Sequence, residues 1–347
     1  MADREDVCVL VPTLNEAETI GEVVSEFRSR GFEHVLVIDG GSTDGTRDIA
    51  RDAGARIVMQ AGDGGKGQAV REALERHVDQ PYVLMLDGDG TYRPSEADRL
   101  LEPLFSGAAE HVVGNRFANL QSGAMPRLNQ TGNRIVNRAF RFVHGRDLVD
   151  ILSGYRAFTL ASARRFDLSA EGFGIETEMS VECVKHGIET AVVPITYEPR
   201  PDDSETKLRP VRDGATIFLT LYRMAKTTNP LFYFGSVGTL STLAGVGLAG
   251  FVAYEWFANG VSHEVIAVLA ASGILFGVQL LMFGVLSDMI VAVNREQSRQ
   301  LQRIERRLSD DRPPTGARGV EERGGEDRDA EAQDGVAPAA DGGDDPD

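Results

Sequence analysis

The chain has 347 residues, a formal net charge of −17 and 42% apolar residues. This length allows one large domain or two ordinary ones, and the apolar fraction supports a full core. The negative charge argues against nucleic acid as a partner, because binding to a phosphate backbone depends on basic side chains. Only four of the 36 basic residues are lysines, a composition typical of proteins from salt-loving organisms, although a high-GC genome with an acidic tail also explains it.

Strand-like apolar runs alternate with helical stretches in the first 200 residues. The predicted strands are 7–14, 35–39, 56–60, 82–86, 111–113 and 190–197. The predicted helices lie near 16–30, 45–53, 68–77 and 95–105. This alternation predicts right-handed βαβ units, and therefore an α/β fold with a mostly parallel sheet that helices cover on both faces.

Four of the predicted strands carry residues suited to ligand binding at or just after their ends. They are Pro12 with Asn15 and Glu16, then Asp39, then Lys66 in a glycine-rich loop, then Asp87 and Asp89. Ligands of open α/β sheets bind outside the carboxyl ends of the strands. Paired carboxylates suit a hard divalent cation, which in turn suits a diphosphate. Each segment alone also fits an ordinary turn or helix cap; together they predict a nucleotide-diphosphate site with a metal.

Two long apolar segments, 231–257 and 265–293, follow this region. Each is long enough to cross about 30 Å of hydrocarbon as a helix. Basic residues flank the pair but are missing from the short connection between them. The positive-inside rule then predicts a multi-pass protein of the cell membrane, with the catalytic domain and both termini in the cytoplasm. The alternative is a buried helical hairpin in a soluble core.

Three further segments have a distinct composition. Residues 209–230 are predicted to form an interfacial amphipathic segment, 294–308 a basic helix, and 309–347 an acidic disordered tail. A helix between Pro126 and Gly145 mixes apolar residues with arginines. Such a helix either lies in the membrane interface or packs on the sheet in the ordinary way.

The strand-end residues and several later segments resemble family-2 glycosyltransferases of the GT-A fold. Within that family the chain is similar to the polyprenyl-phosphate (dolichyl-phosphate) hexose synthases, in particular haloarchaeal enzymes of S-layer N-glycosylation. The resemblance covers about residues 7–230. The later segments are 114–117 (Gly-Asn-Arg-Phe), 150–158 (Asp-Ile-Leu-Ser-Gly-Tyr-Arg-Ala-Phe), 172–178 (Gly-Phe-Gly-Ile-Glu-Thr-Glu), 194–200 and 206–208 (Thr-Lys-Leu). It implies a Rossmann-like GT-A domain at 1–208, followed by two transmembrane helices.

This resemblance implies a metal-dependent, inverting transfer of a hexose, with UDP-glucose as the preferred nucleoside-diphosphate sugar. The acceptor is dolichyl (polyprenyl) phosphate, presented at the membrane lipid surface. The nucleotide sugar is expected to contact Pro12, Asn15, Glu16, Asp39, Lys66 and Asp87, where Asn15 and Lys66 are included for their places at the strand ends. The metal, Mg²⁺ or Mn²⁺, is expected on Asp87 and Asp89.

The predicted catalytic residues are Asp89, Glu178 and Arg156. A phosphomonoester is already anionic, since its second pKa lies near 6, and it needs positioning more than a strong base. Glu178 or Glu176 matches the place where family relatives keep an acidic residue. Glu178 is expected either to act as a base or simply to be a carboxylate favoured by the dipole at a helix N-terminus. Arginine binds phosphate with a two-pronged fork, so acceptor phosphate is expected at Arg116, Arg134, Arg200 and Lys207.

Two positions depart from the family pattern. Gly40 stands where many relatives have Asp, and Thr91 stands where many have Gln. Two other functions remain open at this point. A transferase that extends a lipid-linked glycan on a sugar hydroxyl would need a base such as Glu178, whereas a non-catalytic subunit would only bind nucleotide sugar and scaffold other membrane enzymes.

Overall fold

The computed structural model describes residues 2–62, 64–170, 172, 174–200, 219, 222, 223, 225, 226 and 229–310, with side chains up to 293 and at 297. The chain divides into two units, Met1–Leu301 and Gln302–Asp347. The second unit is described only as the last turns of a helix. Lys207, most of 209–230 and 311–347 lie outside the described residues, so the predictions made for them stay predictions.

Seven strands form one sheet in the order β3-β2-β1-β4-β6-β5-β7. They are β1 (Val7–Thr13), β2 (His34–Asp39), β3 (Arg56–Met59), β4 (Tyr82–Met85), β5 (His111–Leu120), β6 (Arg156–Thr159) and β7 (Thr190–Tyr197). Every neighbouring pair is parallel except the two pairs that include β6. The predicted α/β fold with a mostly parallel, Rossmann-like sheet is confirmed. Strand β6 was not predicted, because it runs antiparallel to both of its neighbours and so lies outside the βαβ alternation that identified the other strands.

Among the described residues, seven α-helices accompany the sheet. They are α1 (Ile20–Ser29), α2 (Thr46–Asp52), α3 (Lys66–Arg76), α4 (Ala97–Phe105), α5 (Arg127–His144), α6 (Leu160–Ala163) and α7 (Ile175–Lys185). Alternate residues of β1 face two cores, as the two-residue period of a strand requires. Val9 lies in the core that contains α1 and α4, and Leu10 lies in the core that contains α3 and α7. Helices therefore cover both faces, which explains why β1 is apolar throughout.

Helix α5 packs with one face and exposes another. Val136, Phe140 and Val143 are buried on it, whereas Leu128 and Ile135 are exposed. Ordinary packing describes the buried face, and a place for the exposed face in the membrane interface stays a prediction.

Two long apolar helices follow, α8 (Pro230–Tyr254), which continues into a π-helical turn, and α9 (Glu264–Asp310). Segments Pro230–Asn259 and Glu264–Val293 are long and apolar enough to cross a membrane, and only 11% of the most apolar window of each is buried. A buried hairpin in a soluble core would hide these residues. The helices approach closely at glycines: a Cβ on Gly238 would lie 2.6 Å from the carbonyl oxygen of Gly277. Ser241 Oγ also donates to the carbonyl of Gly273 at 2.9 Å.

Candidate active site

The loops after β1 and β2 are joined by hydrogen bonds at the carboxyl edge of the sheet. Asn15 has a left-handed backbone (φ 51°), and its amide N–H donates to Ser42 Oγ at 2.8 Å. Asn15 Oδ1 accepts from the Thr43 amide at 2.8 Å, and the Glu16 amide donates to Thr46 Oγ1 at 2.8 Å. Pro12 pairs in register with Ile38 inside the sheet. Asn15 and Glu16 thus lie beside the loop that follows β2, Pro12 lies just inside the sheet, and contact of the three with a nucleotide stays a prediction.

Asp39 ends β2 and is completely buried. Its Oδ2 accepts from the amides of Gly41 and Ser42, each at 2.9 Å, and its Oδ1 accepts from Ser42 Oγ. Arg47 Nε lies 3.8 Å from the same carboxylate. These bonds turn the chain sharply after β2, so Asp39 shapes the loop that faces the site. Direct contact of Asp39 with a nucleotide stays a prediction.

Lys66, at the start of α3, joins two carboxylates from distant parts of the chain. Its ammonium forms an ion pair with Asp87, which follows β4, and lies 2.5 Å from Oε1 of Glu176 on α7. Burial by itself lowers the pKa of Lys66, but the two carboxylates outweigh it and raise that pKa, so the lysine stays charged. Gly154 closes over this cluster: a Cβ there would lie 2.6 Å from Asp87 Oδ2 and 3.2 Å from Lys66 Nζ.

Asp89 lies two residues further along the same loop and is buried. Its Oδ1 accepts from the amide and the hydroxyl of Thr91, at 3.1 and 2.6 Å. Its Oδ2 forms an ion pair with Arg200, which follows β7. Thr91, which stands where relatives have Gln, thus fixes the orientation of the Asp89 carboxylate. Arg200 was expected at the acceptor phosphate, and the structure places it against a predicted metal ligand.

Arg116 forms a two-pronged ion pair with Asp150. Its Nε and Nη2 donate to the two carboxylate oxygens of Asp150 at 2.8 Å each, and both side chains are buried. Its guanidinium carbon also lies 5.4 Å from the ring centroid of Tyr197. Burial lowers the pKa of Arg116, but Asp150 outweighs burial and raises it. The Nε–Nη2 edge of the guanidinium, which could bind a phosphate, therefore already holds a carboxylate, and contact of Arg116 with the acceptor phosphate stays a prediction.

Arg156 was expected among the catalytic residues, and the structure places its side chain fully buried inside the fold. It donates to the carbonyls of Ser153 (2.9 Å) and Ile151 (2.6 Å) and to Ser180 Oγ (3.0 Å). Its Nη1 lies 3.2 Å from Nε2 of His111. Arg156 therefore shapes the segment that carries Gly154. It is a positioning residue and has no exposed atom with which to touch a substrate.

Glu178 faces away from Lys66, although it lies only two residues after Glu176. Its carboxylate accepts from the amide and hydroxyl of Ser169, at 2.9 and 2.6 Å, and from the amide of Ala170 at 2.8 Å. These bonds fix the segment before α7. The geometry thus favours Glu176 over Glu178 as the acidic residue of the site. The sequence offered both glutamates, and nothing in their spacing identified which one faces Lys66.

The remaining predicted residues lie apart from this cluster or beyond the described part. Arg134 is exposed on α5, and Lys207 lies outside the described residues. Sequence reasoning also gave no role to Gly154 or Tyr92. Tyr92 Oη accepts from the Gly154 amide at 2.9 Å. Burial raises the pKa of Tyr92, so its phenol stays protonated.

Comparison with known proteins identifies the family. Residues 8–169 match the glycosyl transferase family 2. The chain is 63% identical to glycosyltransferase AglJ of Haloferax volcanii over 305 residues. This match covers 88% of this chain and 100% of that protein. The chain belongs to glycosyl transferase family 2. It is therefore a glycosyltransferase, and the hypothesis of a non-catalytic scaffold loses its support.

Two other similarities concern this glycosyltransferase. It is 34% identical over 215 residues to a dolichyl-phosphate hexose transferase of Haloferax volcanii, covering 61% of this chain and 91% of that one. Among solved structures, it resembles glucosyl-3-phosphoglycerate synthase from Mycobacterium tuberculosis in complex with Mn²⁺ and UDP-glucose. That likeness has a TM-score of 0.51 and 23% identity, and it covers 63% of this chain and 78% of the other. At this identity it shows the shared GT-A fold.

Proposed function

We propose that this glycosyltransferase moves a hexose from a nucleoside diphosphate, preferably UDP-glucose, to dolichyl phosphate at the cytoplasmic membrane surface for protein N-glycosylation. The main support for this proposal is a cluster of charged side chains at the carboxyl edge of the sheet, Asp87, Asp89, Lys66 and Glu176. This cluster lies in a family-2 domain that precedes two membrane-length helices. The name of the dolichyl-phosphate hexose transferase relative supports the acceptor. The UDP-glucose complex of the mycobacterial synthase supports the donor.

The donor set of the site fits a divalent metal. Carboxylate oxygens such as those of Asp87 and Asp89 are preferred ligands of Mg²⁺ and Mn²⁺. Among the described residues, no group of three or more His, Cys, Asp or Glu is placed to hold a metal ion. Mg²⁺ commonly binds one or two carboxylates and completes its shell with substrate phosphates and water. Asp89, with Asp87, would hold such an ion, which when bound neutralises charge on the leaving diphosphate.

The chemistry is a single displacement. An oxygen of the acceptor phosphate forms a bond to the anomeric carbon while the bond from that carbon to the nucleoside diphosphate breaks, and this inverts the anomeric configuration. The acceptor oxygen carries no proton to remove, because a phosphomonoester has its second pKa near 6. The protein must therefore orient two anions and stabilise the leaving one. Lys66 stays charged in the site and supplies fixed positive charge there.

Glu176 takes the acidic role in this proposal. Its carboxylate pairs with the same ammonium as Asp87, and the two together fix where that ammonium lies. A carboxylate that orients a cation suits the phosphate acceptor, for which no base is required. A sugar-hydroxyl acceptor would instead need a carboxylate free to take a proton.

Helix α5 offers a surface for the membrane. Leu128, Ile135 and Phe142 are 68%, 60% and 74% exposed and recur every seven residues, so they form one stripe along the helix. Arg127, Arg134, Arg138 and Arg141 lie on the side of the stripe away from the buried face. Phe142 meets Phe232 of α8 with ring centroids 5.7 Å apart, and Asn229 Nδ2 donates to the carbonyl of Val143 at 2.6 Å. The stripe thus continues onto the first membrane-length helix, as an interfacial helix should.

Transfer of radiolabelled hexose by the full-length protein tests the function. With Mg²⁺ or Mn²⁺ and dolichyl phosphate, UDP-glucose should give a lipid product that releases hexose in mild acid. Asp89→Asn should lower the yield by at least about a hundredfold, because it weakens charge stabilisation of the leaving group. The matched control Asp98→Asn changes an exposed carboxylate on α4 and should retain activity.

Product analysis separates the two acceptors. A lipid-linked monosaccharide is offered alongside dolichyl phosphate. A lipid-linked disaccharide, with no monosaccharide product from dolichyl phosphate and any of UDP-glucose, UDP-galactose and GDP-mannose, would show a hydroxyl acceptor and exclude the proposed one.

A further inference from the structure

Each carboxylate of the Asp87-Gly88-Asp89 loop is paired with a cation from a different part of the chain. Lys66 holds Asp87, and Arg200 holds Asp89. The two pairs differ in their surroundings. Lys66 is 11% exposed and sits between two carboxylates, whereas the Arg200 side chain is 29% exposed and follows the last strand of the sheet. The Asp89 side chain is only 3% exposed.

The pair of Arg200 and Asp89 has a direct consequence for metal binding. Thr91 already donates twice to Asp89 Oδ1, so Oδ2 is the more available oxygen for a cation. Arg200 Nη2 is bonded to that oxygen. A guanidinium stays charged at any working pH, so it cannot leave by losing a proton. A divalent cation that binds Asp89 Oδ2 must therefore compete with Arg200.

We propose that Arg200 exchanges partners during the reaction cycle: it leaves Asp89 when a divalent metal binds there and then binds a phosphate oxygen of a substrate. This inference rests on the proposed function, since it assigns a regulatory role within the same site. It makes metal binding without substrate weak and metal binding with substrate strong. Arginine suits the second partner, because its fork binds phosphate with two charge-assisted hydrogen bonds.

The exchange assigns two opposite effects to one side chain. Without a phosphate ligand, Arg200 opposes the metal. With one, it contributes to the same complex. A residue that only stabilised the loop would change both measurements in the same direction, so the sign of the two effects identifies the exchange.

Mn²⁺ binding to the full-length protein in detergent tests this, with free Mn²⁺ measured by electron paramagnetic resonance. With Mn²⁺ alone, Arg200→Ala should bind about three- to tenfold more tightly than wild type, because a competing ion pair is lost. With saturating UDP, the same variant should bind Mn²⁺ about tenfold more weakly. Arg200→Lys keeps the charge without the fork and should fall between the two in both measurements.

Two further arms identify the phosphate. Weakening with UDP assigns the released guanidinium to the donor diphosphate, and weakening only with farnesyl phosphate assigns it to the acceptor. Weakening with neither contradicts the second half of the exchange. Arg93→Ala is the matched control, because Arg93 pairs with Glu198 at 2.7 Å near the same strand end; it should leave every affinity unchanged.

The outcomes are distinguishable from failure of the proposed function. If wild-type protein binds Mn²⁺ but Arg200→Ala binds it no more tightly, the exchange is wrong and metal-dependent transfer stands. If neither binds Mn²⁺ with or without UDP, although both melt at the same temperature, the metal-dependent function fails and the exchange fails with it.

Discussion

Glu176 and Glu178 stand two residues apart on α7, and their side chains serve opposite sides of that helix. Glu176 Oε1 lies 2.5 Å from Lys66 Nζ, whereas Glu178 accepts three hydrogen bonds from Ser169 and Ala170. Two residues turn an α-helix by about 200°, so two glutamates at this spacing point to different sides of the helix and cannot share one site. The two carboxylates therefore predict different phenotypes.

Substitution by glutamine separates the two roles. Glu176→Gln should lower kcat by about tenfold or more with an unchanged melting temperature, because Lys66 loses the partner that fixes it. Glu178→Gln should lower stability by about 1–3 kcal/mol, because an amide cannot accept all three bonds. Steady-state kinetics and thermal unfolding in detergent measure both. A kcat loss confined to Glu178→Gln would instead support a catalytic base at position 178.

Gly154→Ala tests how closely the backbone at Gly154 packs against the ion pair of Lys66 and Asp87. The new Cβ would lie 2.6 Å from Asp87 Oδ2, so the carboxylate must shift. We expect kcat/KM for the nucleotide sugar to fall by about a hundredfold, since small displacements at a reacting site are costly. The control is Gly132→Ala on α5, where a Cβ meets nothing within 4 Å. That variant should keep wild-type kinetics and gain up to about 1 kcal/mol.

The ion pair of Arg116 and Asp150 predicts a structural phenotype. Asp150→Asn should lower stability by about 3–5 kcal/mol, because it leaves the buried guanidinium without its charge partner. Arg134→Ala, on the exposed side of α5, should change stability by less than about 0.5 kcal/mol. Chemical denaturation measures both. If Arg116→Lys raised the KM for the lipid phosphate with no loss of stability, the result would support the predicted contact of Arg116 with the acceptor phosphate.

His111 makes stability depend on pH. Burial, with a contribution from Arg156, lowers the pKa of His111 well below its usual value. The folded protein therefore keeps His111 neutral at a pH where the unfolded chain, with a histidine pKa near about 6.5, is protonated. Since the unfolded state binds more protons, stability falls as pH falls below about 6.5, by up to about 1.4 kcal/mol per unit.

The variant His111→Gln should reduce this slope. Its melting temperature between pH 6.5 and 5, measured against wild type, should fall less steeply. His34→Gln, at the exposed start of β2, is the control and should keep the wild-type slope. Parallel curves for all three proteins would show that His111 does not carry the effect.

The exposed stripe of α5 predicts a dependence on lipid. Leu128→Glu with Ile135→Glu should reduce transfer to long-chain dolichyl phosphate in anionic vesicles by about tenfold, because charged residues disfavour the interface. Transfer to a short, soluble prenyl phosphate should be unchanged. Leu128→Val with Ile135→Val keeps the stripe apolar and serves as the control. Equal losses with both acceptors would argue for damage to the fold instead.

Much of the sheet could be predicted from local sequence. The parallel strands β1, β2 and β4 are short, nearly continuous apolar runs, and such runs mark strands buried on both faces. Helix starts were less well predicted: α1 begins at Ile20 rather than near residue 16. The residues in between are held by the loop after β2, because the amides of Glu16 and Ala17 donate to Thr46 and Asp44. A contact with a loop 27 residues away has no local signature.

The sequence by itself determined the family, the α/β fold, the two membrane-length helices and the acidic pair after β4. These depend on apolar periodicity, segment length and residues near one another in the chain. Only the tertiary structure decided which charged side chains meet. It buried Arg116 and Arg156 among fixed partners, turned Glu176 rather than Glu178 towards Lys66, and set Arg200 against Asp89. The reason is physical: the partner of a charge is chosen by how strands and helices pack, and distant elements carry that choice.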